Sequence, residues 1–564
     1  MTQHPWLSTY PKHVEWDQTF TGKPLYTLLE DAAGAYPDNI AYDFMGKETA
    51  YRDLLGQVNR MARGLQNIGV GKGVHVGIFM PNCPQFAVAY FGILKAGGTV
   101  VNYSPLYSEQ ELINQVEDTE TDMMITLDLE ALYPIIRRVT QKSRLKHLVV
   151  DSFSGALPFP KNMLFKLLKG KMISHVVKDD SYVDFQGLLS SKGQPDPVDI
   201  NVLEDVAVIQ CTGGTTGIPK GAMLTHANIY INVLQLELWA TDLKRGEEVI
   251  PGFLPFFHVF AMTVVMNLGI HLAGKVVIMP KFELNAAMKM IKKYKPTLFA
   301  GVPTMFTAML NHKDVMNVGM DNLKMCMSGG APLPVELGQA FKNKLGLTIS
   351  EGYGLTETSP VCASNPYDRE TRYGSIGLPM PGTEIVIVDR KDSSKVLPLG
   401  EKGEICVRGP QVMKGYWNHP EATAESLIDG LFRTGDVGYM DDEGFTFIID
   451  RDKDLILVGG FNVYPRVVEE AIYEHPAVHE VTVIGVKDDY LGERPKAFVA
   501  LKNPDEDLNE DELMAFIRDK LGKHERPREI EFRAELPKTM IGKLSKKELV
   551  AEENEKYERQ KQQA

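Results

Sequence analysis

Between residues 25 and 100 the apolar positions switch between a helical repeat and short strand-length runs. Leu25 to Tyr36, Tyr51 to Ile68 and Gln85 to Ala96 read as helices, while Ile40 to Phe44, Val74 to Phe79 and Thr99 to Val101 read as strands. That alternation predicts α/β layers with largely parallel sheets. Val206 to Ile209 is a further buried strand, and Ala222 to Ile229 reads as the opening of a helix. From Tyr373 to Arg408 the pattern changes to short strands between glycine turns, Glu384 to Val388 and Glu404 to Arg408, which predicts a small β subdomain. A charge cluster, Asp450-Arg451-Asp452-Lys453-Asp454, then stands between two apolar strands, and a compact α/β pattern including Val481 to Val486 runs to about residue 550. A boundary at that cluster gives a domain of residues 1–450, a link of 451–454 and a second domain of 455–564. Glu552 to Ala564, charged and rich in Gln, reads as a frayed tail.

Two stretches break the rhythm. Residues 152–180 contain Leu157-Pro158-Phe159-Pro160 and then Lys161 to Met172, where four lysines lie among apolar residues with no acid. At a helical repeat most apolar positions share one side, with Lys166 and Lys169 opposite and Lys161 and Lys171 spoiling the apolar face. Contact with an anionic membrane and simple packing on the body are both open readings. Val249 to Gly274 has no Asp, Glu, Lys or Arg and is long enough to span a bilayer. Pro251, Pro255, His258, Asn267 and His271 argue instead for strand, loop and buried helix.

Composition narrows the class. With 564 residues, 44% hydrophobic and 24% charged, the chain has the make-up of a multidomain globular protein. A net charge of −13 argues against a nucleic-acid partner. Five scattered cysteines suit a reducing compartment and neither a disulfide framework nor a zinc site. The first residues lack a basic segment followed by an apolar one, so the expected location is cytoplasmic, with peripheral contact on the inner face of the cell membrane and a homodimer both left open.

The densest chemistry is Cys211-Thr212-Gly213-Gly214-Thr215-Thr216-Gly217-Ile218-Pro219-Lys220-Gly221. Its four glycines, three threonines and one lysine suit a polyphosphate. It is not a Walker A loop, since Lys220 sits between Pro219 and Gly221. Gly69-Val70-Gly71-Lys72-Gly73 is a decoy, because it follows a helix and precedes a strand. A second signal is Glu351-Gly352-Tyr353-Gly354-Leu355-Thr356-Glu357-Thr358, entered from an apolar strand read at Leu347 to Ile349. Tyr353 offers a ring to a base, Thr356 a hydroxyl to a phosphate and Glu357 a hard oxygen to Mg²⁺. Ser328-Gly329-Gly330-Ala331-Pro332 ends another strand with room for a flat ring. In Phe432-Arg433-Thr434-Gly435-Asp436 the acid can accept from a ribose diol. In Pro537-Lys538-Thr539-Met540-Ile541-Gly542-Lys543 a lysine on a glycine turn can meet a developing negative charge.

Taken together, and in this order, these motifs resemble the adenylate-forming superfamily of acyl-CoA synthetases, luciferases and peptide-synthetase adenylation domains, over roughly residues 25 to 550. Gly214 and the basic-apolar insert at Lys161 to Lys171 look most like bacterial long-chain fatty-acid–CoA ligases. The resemblance implies a large N-terminal domain of two α/β subdomains plus a β subdomain, followed by a small, mobile α+β lid. It implies ATP, Mg²⁺ and coenzyme A as reactants and helpers, and a fatty acid as substrate. For the nucleotide it implies Thr212, Gly213, Gly214, Thr215, Thr216, Gly217, Lys220, Gly330, Ala331, Glu351, Gly352, Tyr353, Thr356, Asp436 and Arg451. Thr212 and Glu357 would meet the metal, and Lys543, Thr356, Glu357 and His258 would carry the chemistry. Phe257, His258, Met262 and Val302 would line an acyl pocket, Gly459, Gly460 and Phe461 the thiol tunnel, and Lys453 would be the hinge. Cys211 stands where many relatives have Tyr, and Met262 where some have an aromatic gate.

The acid is less sharply defined. Phe256, Phe257, Phe260, Met262, Val302, Met305 and Met327 fit a hydrophobic tunnel or an ordinary core, and their spacing sets no tunnel length. A medium-chain or aromatic acid, a carrier-protein acceptor, a non-catalytic lipid-binding membrane protein and a P-loop ATPase are the competing readings.

Overall fold

A computed structural model of the chain describes residues 4–212, 219–240, 242–451, 454–459, 461–488, 491–503, 506, 508–539 and 542–563. An eight-stranded sheet runs, in spatial order, Gly415–Tyr416, Gly221–Thr225, Val206–Cys211, Thr99–Asn102, His75–Phe79, Met123–Leu127, His147–Asp151 and Tyr182–Asp184. From Val206–Cys211 to Tyr182–Asp184 every pairing is parallel, as the alternating pattern requires. The helix Tyr51–Asn67 turns Leu54, Val58, Met61 and Leu65 inward against the helix Pro84–Ala96. Pro84 opens that second helix and Gly97, at φ 88°, closes it in the left-handed region.

The near end of the sheet corrects one expectation. Ala222 to Thr225 does not open a helix; it lies in the strand Gly221–Thr225, antiparallel to Val206–Cys211. The helix starts at His226, because Thr225 is the first residue able to cap it. The Thr225 side chain accepts from the Asn228 N–H, and the Asn228 side chain accepts from the Thr225 N–H. The glycine-rich stretch therefore links two antiparallel strands.

A four-stranded sheet (Val249–Gly252, Lys275–Ile278, Ile40–Phe44, Lys47–Ala50) and a five-stranded one (Leu298–Gly301, Met325–Ser328, Ser350–Gly354, Val361–Ser364, Leu378–Pro379) build the next layers. The strand expected at Leu347 to Ile349 begins only at Ser350, so Glu351 to Gly354 are themselves strand residues. Val249 to Gly274 forms a strand, a loop, a π-helix Ala261–Asn267 and the helical turn Leu268–His271. Among the described residues no helix is long and apolar enough to cross a membrane. Glu384–Val388, Gly403–Arg408, Leu431–Met440, Leu427–Ile428 and Thr446–Arg451 form the β subdomain.

After Arg451 the chain builds a smaller α+β body with its own sheet and its own apolar core, from Ile456 through Val468, Val483 and Val499 to Ile530. The tail is not frayed: Lys547–Gln563 is a helix. It is anchored by fully buried Leu549, and Glu553 and Glu552 pair with Lys496 and Arg533, which the charged composition of the tail does not reveal.

Candidate active site

The acidic centre of the site is set by strand register. Leu431–Met440 and Thr446–Arg451 pair antiparallel with Asp436 directly opposite Arg451. That pairing delivers Arg451 Nε to 3.1 Å from Asp436 Oδ1. The other oxygen, Oδ2, accepts from the Tyr353 hydroxyl at 2.5 Å. Thr434 braces the turn: its hydroxyl donates to the Ile405 carbonyl at 2.7 Å and accepts from the Asp436 N–H at 3.0 Å.

Glu357 lies on the short 3₁₀ turn Thr356–Thr358, immediately after the strand that carries Tyr353. The turn folds back tightly. A Cβ on Gly354 would lie 2.0 Å from the Pro360 carbonyl oxygen, so that position admits only glycine. The Met413 N–H holds the Glu357 carbonyl at 2.7 Å, and the Tyr416 hydroxyl donates to Glu357 Oε1, also at 2.7 Å. Burial raises the Glu357 carboxyl above its ordinary range, only partly offset by the Tyr416 hydrogen bond. A buried carboxylate held by a neutral donor fits a divalent cation. Among the described residues there is no group of three or more His, Cys, Asp or Glu that could hold a metal ion.

Of the glycine-rich stretch, Gly213, Gly214, Thr215, Thr216 and Gly217 lie outside the described residues. Its base is closed by the Thr212 N–H donating to the Lys220 carbonyl at 2.9 Å. The Lys220 ammonium stands 5.4 Å from the centre of the Tyr416 ring.

Lys543 comes to the same place from the small body. The Thr304 hydroxyl donates to the Gly542 carbonyl at 2.8 Å, and Gly542 has φ 79°. A Cβ there would lie 2.9 Å from Thr304 Oγ1 and 3.3 Å from Val302 Cγ2. Val302, expected at the acyl pocket, thus lies beneath the lysine turn. Burial and the neighbouring Arg451 charge lower the Lys543 ammonium to about 8, with Asp436 pulling the other way. Burial and the Lys543 charge lower His258 to about 4, so its imidazole is neutral at pH 7. Its Nδ1 accepts from the Phe260 N–H at 3.3 Å, at the mouth of the π-helix. Within that π-helix Met262 Sδ accepts from Asn102 Nδ2 at 3.4 Å; in the loop before it the Phe257 carbonyl accepts from Gln210 Nε2 at 3.0 Å. Phe257, Met262 and Val302 are all buried in the large core.

Glu351 is buried as well, its Oε1 accepting from the Leu333 N–H at 3.2 Å. Burial raises its carboxyl to about 7, and Arg466 of the small body opposes that rise. Gly330, at φ 76°, and Ala331 follow the strand Met325–Ser328, as expected. Gly459 and Phe461 make their contacts inside the small body: the Gly459 N–H donates to Leu491, and the Phe461 ring lies 5.1 Å from His524. Gly460 and Lys453 lie outside the described residues.

Three participants carry no motif: Thr304, Arg466 and Tyr416. Tyr416 acts on an acid 59 residues upstream, a distance at which local sequence gives no signal.

Comparison with known proteins places this geometry. The AMP-binding enzyme family matches residues 29–417, and its C-terminal domain matches residues 467–543. The chain is 42% identical to the long-chain-fatty-acid–CoA ligase of Bacillus subtilis (strain 168), with 99% of each chain covered. It is 37% identical to the ligase of the same name from Escherichia coli O6:H1, covering 96% of this chain and 97% of the other. The fold superposes on ATP-bound MatB from Rhodopseudomonas palustris with a TM-score of 0.82 at 28% identity, covering 94% and 99% of the two chains. The first match takes in Tyr353 and Glu357 and the second ends at Lys543, and the chain belongs to the AMP-binding enzyme family.

Proposed function

We propose that this protein joins a long-chain fatty acid to coenzyme A in two steps, through an acyl-AMP. The observation that carries the reading is the Lys543 turn docked at Thr304, beside Asp436, Arg451 and His258. The long-chain substrate is supported by the Bacillus subtilis relative, which bears that activity in its name.

A carboxylate resists attack by a thiol because its own charge repels the nucleophile. In the first step a carboxylate oxygen attacks the α-phosphorus of ATP, and the bond to the leaving pyrophosphate breaks. Lys543 and the Thr356 hydroxyl meet the charge that develops on the α-phosphate. Tyr353, through Asp436, and Arg451 fix the ribose side. Neutral His258 sits where it can donate to the carboxylate without adding charge. Lys220 and the residues before it hold the outer phosphates. Glu357 and Thr212 are the residues that would hold Mg²⁺ beside those phosphates, and the ion would supply charge neutralisation there. In the second step the small body turns about Lys453 and brings Gly459, Gly460 and Phe461 toward the acyl-AMP. The coenzyme A sulfur attacks the acyl carbon, the bond to AMP oxygen breaks, and the thiol proton leaves to solvent. Incubation with fatty acids of four to eighteen carbons, benzoate and coumarate, scored by AMP release with coenzyme A, tests the reading. Release of ADP, or a preference for the aromatic acids, refutes it.

A second reading concerns where the enzyme finds its acid. The helix Lys161–Leu168 buries none of its residues. Phe159, Leu167 and Leu168 are 78%, 79% and 72% exposed, beside Lys166, Lys169 and Lys171. Phe165 ties the segment to the body through the Phe153 ring, 5.3 Å away. We infer peripheral contact with an anionic membrane on its cytoplasmic face, as exposed apolar groups among lysines favour. Flotation with phosphatidylglycerol vesicles tests it. Changing the four lysines to Ser should abolish binding, and unchanged flotation removes the role.

A further inference from the structure

Tyr416 touches both charged partners of the nucleotide's phosphates, and no motif or assigned role covers it. Its position follows from register. Gly415–Tyr416 pairs antiparallel with the strand after the glycine-rich stretch, Tyr416 opposite Ala222 and Gly415 opposite Met223. The Trp417 N–H donates to the Gly221 carbonyl at 2.8 Å, and the Tyr416 N–H donates to Thr423 Oγ1 at 2.9 Å. The ring is therefore fixed at the exit of that stretch. From there its hydroxyl reaches Glu357 Oε1 at 2.7 Å, and its face carries Lys220 Nζ at 5.4 Å.

We propose that Tyr416 is a positioning residue that couples the phosphate-binding lysine to the metal-binding carboxylate, setting the separation of the two charges that receive a metal–triphosphate. The proposal rests on the reading of Glu357 as a metal ligand. The choice of a phenol is chemically specific. A Lys or Arg at that site would orient Glu357 but neutralise it, and would compete with the cation. A neutral hydroxyl orients the carboxylate and leaves its charge intact. The ring face meanwhile gives the ammonium an electrostatic seat without an acid that would compete for it.

The test is direct binding of α,β-methylene-ATP to the full-length protein by calorimetry, with Mg²⁺ and with EDTA. Tyr416→Phe keeps the ring and removes the hydroxyl, and should lose about tenfold in affinity with Mg²⁺ while binding the metal-free analogue as wild type does. Tyr416→Leu should also weaken metal-free binding, because Lys220 loses its seat. Glu357→Gln is the reference and should lose the benefit of Mg²⁺. If Glu357→Gln loses that benefit and Tyr416→Phe keeps it, the coupling is refuted while the metal reading stands. If Glu357→Gln keeps it, the metal reading of Glu357 is refuted and the coupling with it. Thermal midpoints within a degree or two of wild type for the Phe variant exclude misfolding as the source of a loss.

Discussion

Lys543→Ala removes the charge that the small body brings beside Asp436 and Arg451. In the docked position the ammonium is lowered from 10.5 to about 8, by burial first and by Arg451 second. A depression of that size corresponds to about 3 kcal/mol of opposition to the positive charge. Negative charge gathering at the α-phosphate relieves that opposition, so the lysine should favour the transition state over the free enzyme by a similar amount. The expected loss in the first step is therefore about 10²- to 10³-fold, the range found when one preorganised donor is removed. Two assays separate the steps: pyrophosphate release from fatty acid and MgATP, and thioester formation from supplied acyl-AMP and coenzyme A. The Ala variant should fail the first and stay within a few-fold of wild type in the second. The sign with pH follows. The lysine is charged below about pH 8 and loses its charge as pH rises through that value. The ATP kcat/KM of the first step should then fall above about pH 8, and the second step should lack that limb. Equal losses in both steps, or a first step that is flat across pH 7 to 9, refutes the role.

Gly542→Ala places a β-carbon at φ 79° and 2.9 Å from Thr304 Oγ1, so the docked turn should lose at least about 1–2 kcal/mol and the first step about tenfold or more, with the second spared. Wild-type rates in the first step would show that Thr304 is not the seat. Tyr353→Phe leaves Asp436 without its hydroxyl donor and should weaken ATP binding about tenfold by calorimetry; unchanged binding would free Asp436 from dependence on Tyr353. Glu351 titrates near 7 in the folded chain against 4.5 as its ordinary value, so protonation stabilises the fold below 4.5 and that gain is lost as pH rises through about 7. Glu351→Gln should raise the thermal midpoint at pH 8, an effect of up to about 3 kcal/mol, and leave it near wild type at pH 4.5. The same shift at both pH values would refute it.

What the sequence discloses and what it conceals divide along a physical line. The parallel layers, the β subdomain and the buried course of Val249 to Gly274 were legible because periodicity and the Pro and His interruptions are local properties. Tyr353, Asp436 and Lys543, which the structure brings to one place, stood out because each lies among glycines and hydroxyls within a few residues. The helix opening read at Ala222 was wrong by one element, because an apolar run of four residues fits a strand or a helix equally, and only the pairing with Val206–Cys211 decides. The tail was misread because its stability comes from Lys496 and Arg533, on other elements.

The same line explains why the small body's seat could not be read. Leu513, Val483 and Val468 close a core without help from the large domain, so that body holds its shape wherever it sits. Among the described residues, what meets the large domain at the Lys543 turn is the Thr304 hydrogen bond to the Gly542 carbonyl and a set of charges: Arg451 and Asp436 on one side, and Lys543 itself. Charges of both signs at close quarters in a buried site are a contact whose strength depends on what else is bound. A triphosphate favours the lysine's presence, and once pyrophosphate has left, the opposition of Arg451 and of burial returns. On the proposed two-step reaction, the energy that docks the small body for the first step would be tied to the substrate consumed in that step, and that would give the turn toward the second step its direction.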